Sequence, residues 1–166
     1  VTFRRSGDAL FGLGAEHVHL IGRGRQANDA ALLGGGAGAD AGDELLVEVA
    51  RRLRTAVRHD DLVARFGGDE FLILLTAWNI HAEVVRVDER IRRAVSAPVL
   101  VRGHDIRVTA TLGVGLFPDH GGDFETLLRS ADLALYAAKA GGRDALAFYA
   151  EGMSHALRAR TELEGD

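Results

Sequence analysis

Arg65-Phe66-Gly67-Gly68-Asp69-Glu70-Phe71 decides how this chain is read. Two glycines stand between two apolar runs, Leu62-Val63-Ala64 before and Phe71-Leu72-Ile73-Leu74-Leu75 after. Strand, diglycine, strand is the pattern of a tight β-hairpin, because glycine takes positive φ without steric cost. The expected strands are 61–66 and 70–76, with both glycines at positive φ in the turn. No Cβ screens the backbone there, so another molecule can approach it closely. Asp69 and Glu70 follow at once. Adjacent strand residues point to opposite faces, so their roles should differ. Together they make a plausible seat for a metal-bound phosphate. The alternative is a pair of solvated turn carboxylates.

Outward from the hairpin, period-3.6 and period-2 patterns alternate. Leu45, Leu46, Val49, Leu53 and Val57 predict a helix over 43–58. Val84, Val87, Ile91 and Val95 predict a second over 82–95. A strand near 98–102 and a turn at Gly103-His104 lead into a long strand, 105–117, with strict alternation from Ile106 to Leu116. Phe124, Leu127, Leu128, Ala131 and Leu135 predict a third helix, 123–139, ended by Gly141-Gly142. A short strand, 145–149, closes the globular part. The run 70–76 is apolar on both faces, as a central covered strand should be. The expected fold is α/β (α+β): a central, roughly five-stranded mixed or antiparallel sheet flanked by helices.

The first 41 residues differ, with nine glycines and eight alanines. They read as an irregular opening segment. His17 to Ile21 could form a strand there, and 22–40 reads as loop. The core is expected over 42–150, and 151–166 as an exposed linker helix.

The chain has 166 residues, 47% hydrophobic, enough for one domain with a sizeable core. Its net charge of −4 argues against a nucleic-acid binder. Without cysteine, disulfides and thiolate metal sites are excluded. No apolar run approaches the roughly 20 residues that span a bilayer, and the opening has no signal-peptide core. A cytoplasmic domain without direct membrane insertion is therefore expected. Nineteen arginines stand against one lysine, Lys139; a lone compact ammonium suits a phosphate oxygen.

Several stretches, in order, resemble the GGDEF domain, the diguanylate cyclase family. They are Gly42-Asp43-Glu44-Leu45-Leu46, Arg58-His59-Asp60-Asp61 leading into the hairpin, Thr109 to Gly115, and Ala131 to Arg143. The resemblance runs from about Gly42 to Tyr149. It implies a fold like the polymerase palm and adenylyl cyclases. It also implies a homodimer in which two GTP molecules join into cyclic di-GMP with release of pyrophosphate. The chemistry is phosphoryl transfer between positioned, metal-neutralised groups.

The resemblance assigns Asp69 as the acidic Mg²⁺ ligand and Glu70 as the group that helps activate the 3′-hydroxyl. Gly67 and Gly68 form the turn under the nucleotide. Asp43 and Asn28 bind the guanine edge, and Lys139 and Arg143 contact the phosphates. Arg58 and Asp61 form the inhibitory product site. Each has a bland alternative. Asp43 suits a helix start, Lys139 and Arg143 suit a helix C-terminus, and Arg58 with Asp61 could be a surface ion pair.

The family's first segment carries two aspartates that this chain lacks. One alignment sets Leu20 and Gly22 at those positions, with Arg25 for a lysine. Another sets Gln26 and Asn28 there. With Asp69 as the one matched acidic ligand, Mg²⁺ should bind weakly and cyclase activity should be poor or absent. The tail, with Arg158 to Glu164, resembles the linker into an EAL phosphodiesterase domain. The alternative reading is a catalytically inactive GTP- or cyclic di-GMP-binding module regulating such a domain.

Overall fold

The computed structural model describes residues 17–25, 37–76 and 80–153. Asn28 and nearly all of the expected linker helix lie outside them. The elements in order are β1 (His17–Arg25), α1 (Ala37–Ala56), β2 (Leu62–Gly67), β3 (Glu70–Thr76), α2 (Ile80–Ser96), β4 (Val99–Val101), β5 (His104–Ile106), β6 (Thr109–Leu116), α3 (Phe124–Ala140) and β7 (Leu146–Phe148).

Five strands form one sheet in the order β2-β3-β1-β6-β7. β6 and β7 run parallel, and the other pairs run antiparallel. This is the expected mixed five-stranded sheet. β4 and β5 form a separate two-stranded ribbon.

Burial follows the sequence periodicity. Leu45, Val49 and Leu53 of α1 and Val84, Val87, Ile91 and Val95 of α2 pack on one sheet face. They meet Phe71, Ile73 and Leu75 of β3 and Leu112, Val114 and Leu116 of β6. The alternate residues of β3, Leu72 and Leu74, pack on the other face with Ala131, Phe124 and Leu128 of α3. Residues 71–75 are therefore all buried, because β3 is covered on both sides.

Three expectations need correction. The loop read over 22–40 is wrong at both ends, since β1 continues to Arg25 and α1 begins at Ala37. β1 is the middle strand of the sheet. Its glycines and arginines mask this, since glycine is poor in strands when read alone. The long strand over 105–117 is two strands in different sheets. Alternation does not register the change of partner, because Ile106, Val108 and Ala110 are buried on either side of the break. Lastly, only Gly68 has positive φ in the hairpin turn, +50°. Gly67 belongs to β2 and pairs with Glu70, after a bulge between Arg65 and Gly67. Positive φ at the first central residue alone fits a II′ rather than a I′ turn.

Candidate functional site

The Gly68-Asp69 turn closes the β2–β3 hairpin at one end of the sheet. A Cβ built on Gly67 or Gly68 would meet nothing within 4 Å, so the backbone there is open to a ligand. Arg65 stiffens the turn from inside: its Nε donates to the Gly68 carbonyl at 2.9 Å. Asp69 and Glu70 are both half-buried.

Beside the hairpin lies a cleft of about 520 Å³ between α1 and the strands. Asp43, Leu46, Val47 and Ala50 of α1 form one wall, and Val63, Arg65 and Phe71 the other. Its volume is in the usual range for a small-molecule site, and its walls are mostly apolar with a few polar groups. Asp43 is an exposed carboxylate at this cleft, suited to accept from an N–H edge of a planar ring. Arg54, also at the cleft, donates to the carbonyls of Asp61 and Arg58 and so ties the α1–β2 connection to α1.

The register brings a second set of groups to this end of the sheet. Glu70 of β3, Arg23 of β1 and Thr111 of β6 occupy one row across three strands. Strand spacing sets Glu70 and Thr111 about 10 Å apart along that row. The Asp144 N–H donates to Thr111 Oγ1 at 3.0 Å. The turn after α3, with Arg143, and the last helical turn, with Lys139, therefore lie at the hairpin's end of the sheet. Arg143 is exposed and Lys139 half-buried.

Arg58 and Asp61 sit at the other end of the hairpin, with Asp61 roughly 20 Å from its tip by strand rise. Asp61 is only 7% exposed. Its carboxylate accepts from the N–H of Arg58 at 2.8 Å and of Thr76 at 3.4 Å. The Arg58 guanidinium meets Glu83 of α2 at 3.0 Å. Arg86 and Arg90 approach the same carboxylate at 3.7 and 3.8 Å, so three cations converge on one buried anion. The sequence reading missed Glu83, Arg86 and Arg90; their i, i+3 and i+7 spacing was the available signal.

Among the described residues, no three acidic or histidine side chains gather as a metal site. β1, His17-Val18-His19-Leu20-Ile21-Gly22-Arg23-Gly24-Arg25, holds no carboxylate. Asp69 and Glu70 still suit Mg²⁺, which commonly takes one or two carboxylates and completes its shell with phosphates and water.

These elements make a mixed-sheet α/β domain with an open glycine turn beside a cleft. The model of the GGDEF domain of diguanylate cyclases matches residues 35–145, and the chain belongs to this family. Among relatives, it is 36% identical over 125 residues to the bifunctional diguanylate cyclase/cyclic di-GMP phosphodiesterase MucR of Pseudomonas aeruginosa, covering 75% of this chain and 18% of MucR. It is 41% identical over 109 residues to diguanylate cyclase DosC of Escherichia coli, covering 64% of this chain and 23% of DosC. The chain thus spans less than a quarter of these relatives. The solved GGDEF domain of TpbB from P. aeruginosa superposes with a TM-score of 0.76 at 31% identity, covering 86% of this chain and 83% of that one. Among the described residues, no helix is long and apolar enough to cross a membrane.

Proposed function

We propose that this domain binds GTP in the α1–hairpin cleft and is a diguanylate cyclase of low turnover. Two copies facing each other would join two GTP into cyclic di-GMP and release two pyrophosphates. The observation that carries the reading is the cleft that sets Asp43 beside the strands of the Gly67-Gly68-Asp69-Glu70 turn. In this reading Asp43 accepts from the guanine edge, with Asn28 as the second contact. The apolar walls take the ring, and Gly67 and Gly68 let the phosphates approach the backbone. Lys139 and Arg143 neutralise phosphate oxygens. Glu70 draws the proton from the 3′-hydroxyl as that oxygen attacks the other nucleotide's α-phosphorus and pyrophosphate leaves. Asp69 would hold Mg²⁺, which lowers the charge on the phosphates when bound. A clamp with fewer carboxylates than the family's full set can cost several kcal/mol, and about 4 kcal/mol is roughly three decades in rate.

Arg58 and Asp61 remain the proposed product site, where arginine clamps phosphate or stacks on guanine. The domain, with β1 as the middle strand of its sheet, is proposed to lie in the cytoplasm, with a C-terminal EAL domain as the proposed attachment. MucR's two activities and the solved EAL/GGDEF protein of M. capsulatus, 33% identical with a TM-score of 0.71, support that arrangement.

A second reading is a regulatory module that binds GTP or cyclic di-GMP without chemistry. The carboxylate-free β1 favours it. Calorimetry with both nucleotides, with and without Mg²⁺, joined to a product assay, separates the two. Binding with slow product supports the cyclase. Binding with no product supports the module. No binding of either nucleotide overturns both.

A further inference from the structure

Asp88 of α2 is 2% exposed, and its Oδ1 has no hydrogen-bond partner among the described residues. A buried carboxylate with one idle oxygen is costly. Its Oδ2 accepts from Arg92 Nε at 3.0 Å. The same guanidinium continues outward, and Arg92 Nη1 donates to the Asp144 carbonyl at 3.0 Å. Asp144 is gripped on its other side by Thr111, through its N–H.

The gripped turn is an unusual one. Gly142, Arg143 and Asp144 have φ of +130°, +61° and +44°. Two consecutive non-glycine residues in the left-handed region persist only where the surroundings hold them. Around Arg143 the local bonds are the 3.3 Å bond from its own N–H to the Ala138 carbonyl and the 2.8 Å bond from the Leu112 N–H to the Ala145 carbonyl. The Asp144 carbonyl is held by a side chain from another helix, one turn from a buried acid.

We propose that Asp88 and Arg92 are a positioning pair that fixes the Gly142–Asp144 turn and so aims Arg143 at the phosphates of the bound nucleotide. The proposal rests on the GTP reading above. Burial also raises the Asp88 carboxyl above the usual range, against the opposing pull of Arg92.

The test is calorimetry with GTP and with GMP on the whole chain, alongside melting curves. A guanidinium lost from a charged hydrogen-bond chain should weaken GTP binding about tenfold in Arg92→Ala. GMP, which lacks the outer phosphates, should change less than about twofold. The double variant Arg92→Ala/Arg143→Ala should bind GTP no worse than Arg143→Ala alone, because Arg92 acts through Arg143. Asp88→Asn, whose amide oxygen still accepts from Arg92, should keep most of the affinity that Asp88→Ala loses. Should Arg92→Ala not fold, Arg92→Lys serves, since one ammonium cannot bridge Asp88 and Asp144 as a guanidinium does.

Equal losses for GTP and GMP would overturn the proposal. So would multiplied losses in the double variant, or a lower melting temperature with unchanged GTP affinity. If the unaltered chain binds no GTP, the functional reading falls and takes this one with it. If it binds GTP but the Arg92 variants bind as well, only the positioning pair falls.

Discussion

A methyl group on Gly113 would lie 2.3 Å from the Ala131 carbonyl oxygen and 2.3 Å from the Leu135 nitrogen. Both are backbone atoms of α3, which cannot swing aside as a side chain could. Gly113→Ala should therefore cost about 3 kcal/mol, read from urea unfolding, as overpacking in a closed core does. Gly68→Ala meets nothing within 4 Å and suffers only from its φ of +50°, so about 1 kcal/mol is expected there. The sequence makes Gly68 legible, because a turn between apolar runs needs a glycine. Gly113 is not legible, because its reason is a helix that arrives from elsewhere in the chain. Asp88 is a similar case: its i, i+4 spacing to Arg92 suggests a surface pair, and only the packing shows that it is buried. Burial raises its pKa, so the folded form holds a proton more tightly than the unfolded chain does. Its contribution to stability thus grows as pH falls toward the raised value. Asp88→Asn should flatten that part of the stability profile below neutral pH.

At the scale of elements, α2 ends on a partner that periodicity cannot reveal. Arg52 of α1 reaches across to the carbonyls of Ala94, at 3.0 Å, of Pro98, at 2.9 Å, and of Ala97. It supplies the donors that the last turn of a helix lacks. Arg52→Ala removes several charged hydrogen bonds at once and should destabilise the domain by about 2 kcal/mol in chemical denaturation. The β6–α3 connection holds a titrating element. His120 Nδ1 accepts from the Leu116 N–H at 3.0 Å, and its ring lies edge-on to Tyr149, with centroids 5.3 Å apart. Burial lowers its pKa below the ordinary histidine value, against a raising pull from Asp119. The unfolded chain then binds the proton more readily, so this stability is present above the unfolded value of about 6.5 and is lost as pH falls below it. The drop in unfolding free energy between pH 7.5 and 5.5 should shrink in His120→Gln. Helices and hairpin were readable here because each element's own residues carry its pattern. β1 was readable only in its first half, and the break between β5 and β6 not at all, since both depend on which strand lies alongside.

At the scale of the whole molecule, three strands and the end of α3 bring their chemistry to one rim of the sheet. The sequence resemblance proposes the hairpin, Asp43, Lys139 and Arg143 as site residues because they sit in locally patterned stretches. It left the first segment with two alignments, because β1 has no acid to anchor either one. The register gives a physical basis for choosing a position. Gly22 pairs with Phe71 on one side and Leu112 on the other. Cross-strand partners share a face, and Phe71 lines the cleft, so position 22 lies on the cleft's side of the sheet, next to the Glu70 row. Leu20 pairs with Ile73 and Val114, further from the turn and level with the core. If a missing carboxylate limits the cation, Gly22→Asp should supply it and Leu20→Asp should only damage the core. Mg²⁺ should then strengthen GTP binding about tenfold more in Gly22→Asp than in the unaltered chain, a gain of about 1.4 kcal/mol. Leu20→Asp should lower the melting temperature without that gain. Titrating GTP into the three proteins, with and without Mg²⁺, reads both effects. Equal Mg²⁺ dependence in all three would mean that the cation does not depend on this strand.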